Sequence, residues 1–187
     1  MHDAVALHRV ATDRYTTARS RPVRLVLCGQ EVDPLGVHDP GRVVVTGFVT
    51  EDEKWAAIRG AVALLQPSRQ ESFGMTLAEA WLADRPVLVR SDCDVTSGLV
   101  ERAGGGLTYH DPATFAESLD WLLEHPDAAA RLAASGRAYV EAELEWDAVM
   151  ARYEALLTTA STASVVGAGS RIGAGRGVTQ GRRPTTA

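Results

Sequence analysis

Short apolar runs alternate with longer amphipathic segments over residues 1–157. Each apolar run is bounded by glycine, proline or polar turn residues, which is typical of buried strands. The predicted strands are 24–29, 42–47, 61–66 and 86–89, with a weaker one at 106–109. The predicted helices are 3–18, 51–60, 75–84, 94–103, 112–124, 126–142 and 147–157.

This strict alternation predicts the fold class. Strands that are apolar on both faces and separated by helices are typical of a parallel sheet covered by helices on both sides. We therefore expect a Rossmann-like, doubly wound α/β domain in which the strands are neighbours in one sheet. Ligands of such sheets bind beyond the carboxyl ends of the strands, so the loops after residues 29, 47, 66 and 89 are the places to look for chemistry.

The composition changes at about residue 158. Residues 158–187 are rich in glycine, alanine, threonine and serine and contain few large apolar side chains. Such a segment cannot offset the entropy cost of its own ordering. The sequence thus predicts one domain over 1–157 and a disordered Gly/Ala/Thr/Arg tail over 158–187.

Composition and charge exclude several classes of protein. The chain is 45% hydrophobic and 23% charged, as soluble globular proteins are. Its net charge is −5, and because the tail carries four arginines and no acid, residues 1–157 carry −9, which is unfavourable for binding nucleic acid. The apolar runs are too short for a transmembrane segment, and no secretory signal is evident. Two widely separated cysteines without metal-ligand spacing favour the cytoplasm.

Residues 64–81 carry the most informative pattern, a strand, a Pro/Ser/Gly turn and a helix that begins near Gly74 or Met75. We expect the backbone N–H groups of residues 74–77 to be free donors at the positive end of the helix dipole, which favours phosphate. Glu71 precedes this helix and Glu79 lies one turn inside it. Carboxylates accept hydrogen bonds from sugar hydroxyls, so two of them flanking a diphosphate would suit a nucleotide sugar.

Spacing alone leaves a second interpretation open, because Thr76-x-x-Glu79 is also the pattern of a capping box. Two other motifs favour structural roles. Asp92-x-Asp94 could hold a metal, but an N-cap at Asp92 or Asp94 is preferred. Residues 104–106 are three glycines that follow a predicted helix and are best explained as its C-terminal stop.

The segment E-S-F-G-M-T-L-A-E from Glu71 to Glu79 resembles the E-x7-E element of retaining glycosyltransferases with the GT-B fold. The surrounding sequence, from about 24 to 157, resembles glycosyltransferase family 4 (group 1). The matching pieces are VTGFV at 45–49, LQPS at 65–68, ADRPVLV at 83–89, GGGL at 104–107 and a terminal helix containing Trp146.

The resemblance implies transfer of a sugar from a nucleotide diphosphate-sugar to an acceptor with retention at the anomeric carbon. Glu71 would be the catalytic residue and hold a hydroxyl of the donor sugar, while Glu79 would hold the ribose hydroxyls. The other implied donor-binding residues are Ser72, Phe73, Gly74, Met75, Thr76 and Leu77 around the diphosphate and sugar, with Gly47 and Phe48 near the base. No metal or other cofactor is expected, since the nucleotide sugar is a substrate.

Two parts of the family's pattern are missing from this sequence. These are the first strand of the donor-binding domain, with the basic residues that neutralise the diphosphate, and the N-terminal acceptor-binding domain. We therefore expect the N-terminally truncated donor-binding half of an enzyme, inactive alone. The alternatives are a nucleotide-sugar-binding remnant without activity, or a generic α/β module in which the two glutamates only cap a helix.

Overall fold

The computed structural model describes residues 23–29 and 42–169. Its strands are β1 (Leu25–Cys28), β2 (Val43–Gly47), β3 (Leu64–Gln66), β4 (Val87–Arg90) and β5 (Gly106–Tyr109). Its helices are α1 (Glu51–Gly60), α2 (Met75–Leu82), α3 (Asp94–Ala103), α4 (Pro112–Glu124), α5 (Pro126–Glu143) and α6 (Trp146–Gly169). The predicted strands and helices within these residues are confirmed, although β3 begins three residues later than expected. The helix predicted at 3–18 lies outside the described residues.

All strand pairs are parallel, as predicted, but they form two hydrogen-bonded groups rather than one sheet. One group pairs β1 with β2, and the other has the order β3-β4-β5. The prediction of a single continuous sheet over the described strands is therefore wrong. In the doubly wound order 3-2-1-4-5-6, the first strand separates the second from the fourth. That strand is not among the described ones, and no described strand is hydrogen-bonded to both groups.

The core of the larger group is built around β4. Val87, Leu88 and Val89 are at most 1% exposed. Leu88 packs in a cluster with Tyr109 and with residues of α4 and α5, including Phe115 and Ala129. Because successive residues of a strand point to opposite faces, the burial of Val87 and Val89 shows that the other face of β4 is covered as well. This confirms the predicted two-sided covering for β4 in the larger group.

Trp81 of α2 is the largest fully buried side chain among the described residues. Its Nε1 donates a hydrogen bond to the carbonyl oxygen of Gly105 at 2.8 Å. A Cβ atom at Gly105 would lie 2.4 Å from the indole, and one at Gly136 of α5 would lie 2.3 Å from it. The two glycines thus leave the space that the indole fills, which fixes α2 between α5 and the start of β5.

The described residues up to Glu143 form one compact unit, and those from Leu144 belong to a second. In the second unit, α6 continues to Gly169. The prediction that regular structure ends at 157 is therefore wrong for residues 158–169. The Thr158 and Thr159 hydroxyls donate to the carbonyls of Glu154 and Ala155, four residues earlier, and so satisfy their hydrogen bonds within the helix. Residues 170–187 lie outside the described residues.

None of the helices in the described ranges combines the length and the apolar character that are needed to cross a membrane.

Candidate functional site

The turn between β3 and α2 creates an anion-binding geometry at the carboxyl end of β3. The N-cap of α2 is Gly74, whose φ of 83° is in the left-handed region that favours glycine. No side chain caps this helix. Across residues 23–29 and 42–169, no acceptor is found for the N–H groups of Gly74, Met75 and Thr76. These donors at the positive end of the helix dipole could receive a phosphate.

The N–H of Leu77 is not free, in contrast to the prediction from the sequence. The N–H of Leu77 donates to the carbonyl oxygen of Gly74 at 2.9 Å, and its side chain is fully buried. This hydrogen bond joins residues three positions apart and closes the first turn of the helix. By contrast, the neighbouring residues Ser72, Phe73, Met75 and Thr76 are exposed.

The capping interpretation of Glu79 is wrong. A capping box joins the N-cap residue to the third residue of the helix, whereas Thr76 and Glu79 are the second and fifth residues of α2. A genuine capping box is present at α1. There, Glu53 accepts from the N–H of Thr50 at 2.8 Å, and Thr50 Oγ1 accepts from the N–H of Glu53 at 3.3 Å. The hydrogen bonds that the Glu53 carboxylate accepts from the N–H and, at 2.9 Å, from the hydroxyl of Thr50 hold the pKa of Glu53 below its usual range.

Glu71 is held by its own loop and by the end of β3. Its Oε1 accepts from the N–H of Ser72 at 2.9 Å, and its Oε2 accepts from Gln66 Nε2 at 3.3 Å. Gln66 Nε2 also lies 3.4 Å from Thr76 Oγ1, while Gln66 Oε1 accepts from the Ser68 hydroxyl at 3.1 Å. Gln66 therefore links the strand end, the loop and the first turn of α2, and thereby orients Glu71.

Glu79 forms an ion pair with a different helix. Its Oε1 lies 3.1 Å from Lys54 Nζ of α1, and Lys54 also lies 2.8 Å from Glu51 Oε2. The hydrogen bonds to Glu51 and then to Glu79 raise the pKa of Lys54. The Glu79 and Lys54 side chains are 25% and 28% exposed, so the pair is partly shielded from water.

The sequence interpretation assigned no role to Gln66 or Lys54. A polar residue at the last position of an apolar strand was a signal for Gln66. Lys54 is the single lysine of the chain, against eighteen arginines, and this was a signal for it. The sequence did not show which residue Lys54 would pair with.

Gly47 and Phe48 lie at the carboxyl end of β2. Gly47 has a φ of 71°, and its carbonyl oxygen accepts from the N–H of Gly29 at 2.8 Å. Phe48 is 81% exposed, which leaves its ring available for contact. Gly47 is thus the last residue of β2 and Phe48 follows it, while their place near the base stays a prediction.

Asp92 is an ion-pair residue and not an N-cap. The N-cap of α3 is Cys93, without a side-chain hydrogen bond, and Asp94 is the first residue of that helix. Asp92 instead accepts from Arg90 Nε at 2.6 Å and Nη2 at 2.7 Å, and from Arg69 Nη1 at 3.0 Å. Arg90, followed by Arg69, holds the pKa of Asp92 below its usual range.

Two other predictions from the sequence concern the three glycines at 104–106 and the absence of a metal site. Gly104 is the C-cap of α3 with a φ of 60°, which confirms the predicted helix stop. In the part of the chain that the structure describes, no group of three or more His, Cys, Asp or Glu side chains could hold a metal ion.

A protein-family model described as "Glycosyl transferases group 1" matches residues 4–125. Two curated relatives are D-inositol 3-phosphate glycosyltransferases. That of Frankia alni is 35% identical over 136 residues, which is 69% of this chain and 32% of the relative. That of Streptomyces scabiei is 35% identical over 103 residues, which is 54% of this chain and 23% of the relative. The chain thus spans no more than about a third of their length.

The fold is similar to that of solved GT-B glycosyltransferases. Sucrose-phosphate synthase from Thermosynechococcus elongatus has a TM-score of 0.62 at 21% identity, with 82% of this chain and 42% of that chain covered. Anabaena HepE, solved in complex with UDP-glucose, has a TM-score of 0.60 at 19% identity, with 82% and 44% covered. Each likeness covers less than half of the larger protein.

Proposed function

The chain belongs to the group 1 glycosyl transferases, and from that premise we propose that it is the donor-binding half of a retaining glycosyltransferase. The reaction would transfer a sugar from a nucleotide diphosphate-sugar to an acceptor hydroxyl with retention at the anomeric carbon. No metal or organic cofactor takes part in this proposal.

The observation that carries the proposal is the pair of carboxylates around the start of α2. Glu71 precedes the helix and Glu79 lies in its second turn, and neither caps it. Each carboxylate is bonded to another element, Glu71 to Gln66 of β3 by a hydrogen bond and Glu79 to Lys54 of α1 by an ion pair. Oriented carboxylates on either side of unpaired N–H donors form a site for an anion that carries hydroxyl groups on both sides.

In the proposed complex, Glu71 accepts a hydrogen bond from a hydroxyl of the donor sugar and Glu79 accepts from the ribose hydroxyls. The N–H groups of Gly74, Met75 and Thr76 receive the diphosphate, with Ser72 and Phe73 beside the sugar. Gly47 and Phe48 lie near the base. Leu77 contributes through the core and not through its N–H, which is already bonded to Gly74.

The chemical step breaks the bond between the anomeric carbon and the diphosphate oxygen and forms a bond from that carbon to the acceptor oxygen. Negative charge develops on the leaving diphosphate, whose oxygen takes the proton that the acceptor hydroxyl loses. N–H donors that already point at this position stabilise the charge without reorganisation, which is the basis of electrostatic catalysis. The acceptor would be held by an N-terminal domain that the longer relatives have room for.

Isothermal titration of the 187-residue chain with UDP-glucose tests the proposal. UDP-glucose is the first donor to try because it is bound in the HepE structure. We expect weak, salt-sensitive binding that Glu71→Ala and Glu79→Ala each reduce. ADP-glucose and GDP-glucose should be titrated in parallel, and no binding of any of the three would contradict the proposal. D-inositol 3-phosphate is the first acceptor to try, because the curated relatives are named for it.

A further inference from the structure

Lys54 bridges two helices through two carboxylates. Its Nζ lies 3.1 Å from Glu79 Oε1 on α2 and 2.8 Å from Glu51 Oε2 on its own helix, three residues earlier. Nζ also lies 5.7 Å from the centre of the Trp55 ring. Three groups thus restrain one ammonium, and that ammonium restrains the carboxylate of Glu79.

Glu79 would otherwise have considerable freedom. A glutamate in the second turn of a helix has several rotatable bonds, and ordering such a side chain costs free energy. An ion pair that forms before the ligand arrives removes part of this cost from binding, which is the general advantage of preorganisation. Among the described residues, Lys54 is the only one found to form a hydrogen bond or ion pair with the Glu79 carboxylate.

The ion pair leaves Glu79 able to bind a ligand. An ionised carboxylate offers about four lone-pair positions on its two oxygens, and Lys54 uses one of them, at Oε1. In residues 23–29 and 42–169, no donor is found for Oε2. Glu79 therefore keeps an oxygen that can accept hydrogen bonds from a ligand while Oε1 stays paired with Lys54.

We propose that Lys54 is a positioning residue for the donor site: its ammonium, held by Glu51, orients the Glu79 carboxylate to accept hydrogen bonds from the ribose hydroxyls. The inference rests on the proposed function, in which Glu79 binds the ribose of the donor. Lys54 itself touches neither the diphosphate nor the sugar in this scheme.

The experiment compares nucleotides with and without the ribose hydroxyls. UDP, ADP and GDP are each titrated into the wild-type chain beside the 2′,3′-dideoxy form, and the tightest pair is then used for the variants. We expect Lys54→Met to weaken binding of the normal nucleotide about 3- to 10-fold, the effect of losing one well-placed hydrogen bond. Binding of the dideoxy nucleotide should not change. Arg59→Met, on the exposed side of the same helix, is the matched control and should leave both affinities unchanged.

A double-variant cycle separates positioning from direct contact. If Lys54 acts only through Glu79, Lys54→Met should have little further effect in a Glu79→Gln background. Equal weakening of the normal and dideoxy nucleotides would overturn the inference, since it would mean that Lys54 contacts the phosphates or supports the fold. Unchanged affinity in Lys54→Met would overturn it as well, while the proposed function would stand as long as Glu79→Gln still weakens binding. A wild-type chain that binds none of the nucleotides would contradict both.

A spectroscopic readout does not depend on comparing affinities. Because the chain has one lysine, labelling with ¹³C-lysine gives a single side-chain Cε resonance. We expect Glu79→Gln to shift this resonance in the free protein, and saturating nucleotide to shift it in the wild type but much less in Glu79→Gln. A resonance that shifts neither on Glu79→Gln substitution nor on nucleotide binding would overturn the inference, because Lys54 would then not be coupled to Glu79 in solution.

Discussion

A glutamate near the start of a helix can cap the helix or bind a ligand, and this chain offers one glutamate with which to test each role. Glu53 caps α1 through bonds to Thr50, whereas Glu79 lies beyond the capping position of α2 and pairs with Lys54. A cap supports the folded state whether or not a ligand is present, while a ligand-binding carboxylate matters when the ligand is bound. The two residues are therefore a matched pair for mutation.

Glu79→Ala should weaken nucleotide-sugar binding by about 1–3 kcal/mol, because the ribose hydroxyls lose a charged acceptor. It should cost about 1 kcal/mol or less in stability, since no cap is lost. Glu53→Ala should show the opposite behaviour, with a lower urea midpoint and an unchanged Kd. Calorimetry and urea denaturation of both variants check this. A Glu79→Ala chain that loses stability and keeps its affinity would show that Glu79 is structural.

Sequence patterns identified Glu71 and Glu79 because both lie within one motif. They did not identify the groups that orient these acids. Lys54 precedes Glu79 by 25 residues and lies on another helix, so only the tertiary fold brings its ammonium to the Glu79 carboxylate. The capping interpretation of Thr76 and Glu79 failed for a related reason. The left-handed conformation of Gly74 starts the helix two residues too early for that pattern.

Asp92 should make the stability of the fold depend on pH in acid. Arg90 and Arg69 hold its pKa below the ordinary value, so its contribution is fully present above about pH 4 and is lost as the pH falls through the lowered pKa. The difference in unfolding free energy between wild type and Asp92→Asn should therefore be constant from pH 7 to about pH 5 and should shrink below the ordinary pKa. Urea denaturation at several pH values measures it.

Arg69→Gln is the companion variant for this measurement. Arg90 is the main cause of the lowered pKa and is buried, whereas Arg69 is exposed. Most of the pH dependence should therefore remain in Arg69→Gln. A difference between wild type and Asp92→Asn that stays constant down to pH 2.5 would contradict the expected linkage.

At the scale of elements, the pattern of apolar runs predicted every described strand and helix, because each buried strand is flanked by turn residues. The ends of elements were predicted less well. The start of β3 was placed at 61, but Ala61 serves as the C-cap of α1 in an extended conformation. The end of α6 was placed at 157 on composition, yet the helix continues to Gly169, and the Thr158 and Thr159 hydroxyls bond to carbonyls of its preceding turn.

Gly136→Ala should destabilise the chain by about 1–3 kcal/mol. A methyl group there would lie 2.3 Å from the buried Trp81 ring, and such overpacking costs more than the roughly 0.5–1 kcal/mol that alanine gains over glycine in a helix. The matched control is Gly98→Ala in α3, where the nearest atom is 3.3 Å away at the end of a flexible arginine. Urea denaturation should show Gly98→Ala to be neutral or stabilising. A Gly136→Ala chain as stable as Gly98→Ala would mean that Trp81 can move without cost.

At the scale of the molecule, the fold class followed from the alternation of elements, but the break between the two strand groups did not. The sequences of β1 and β3 each predict an ordinary buried strand. They do not show which strand pairs with which, because pairing partners can be distant in sequence. The break falls where the doubly wound order puts the first strand, between β1 and β3. Val26 of β1 is 49% exposed, while β4, which has partners on both sides, is buried throughout.

The 187-residue chain alone should show no sustained sugar transfer even where it binds donor. In its described part, Lys54 and Arg69 near the site are already paired with carboxylates, so the start of α2 has to offset the diphosphate charge. A helix dipole at an exposed site supplies only about 0.3–1 kcal/mol. Without a facing domain, the acceptor is not held in line, which forfeits much of the roughly 7–11 kcal/mol that positioning can contribute. Release of UDP from UDP-glucose with D-inositol 3-phosphate should be measured for the chain, its Glu71→Ala variant and the full-length Frankia alni relative. Turnover by the chain alone that Glu71→Ala abolishes would show that this half contains the complete catalytic machinery.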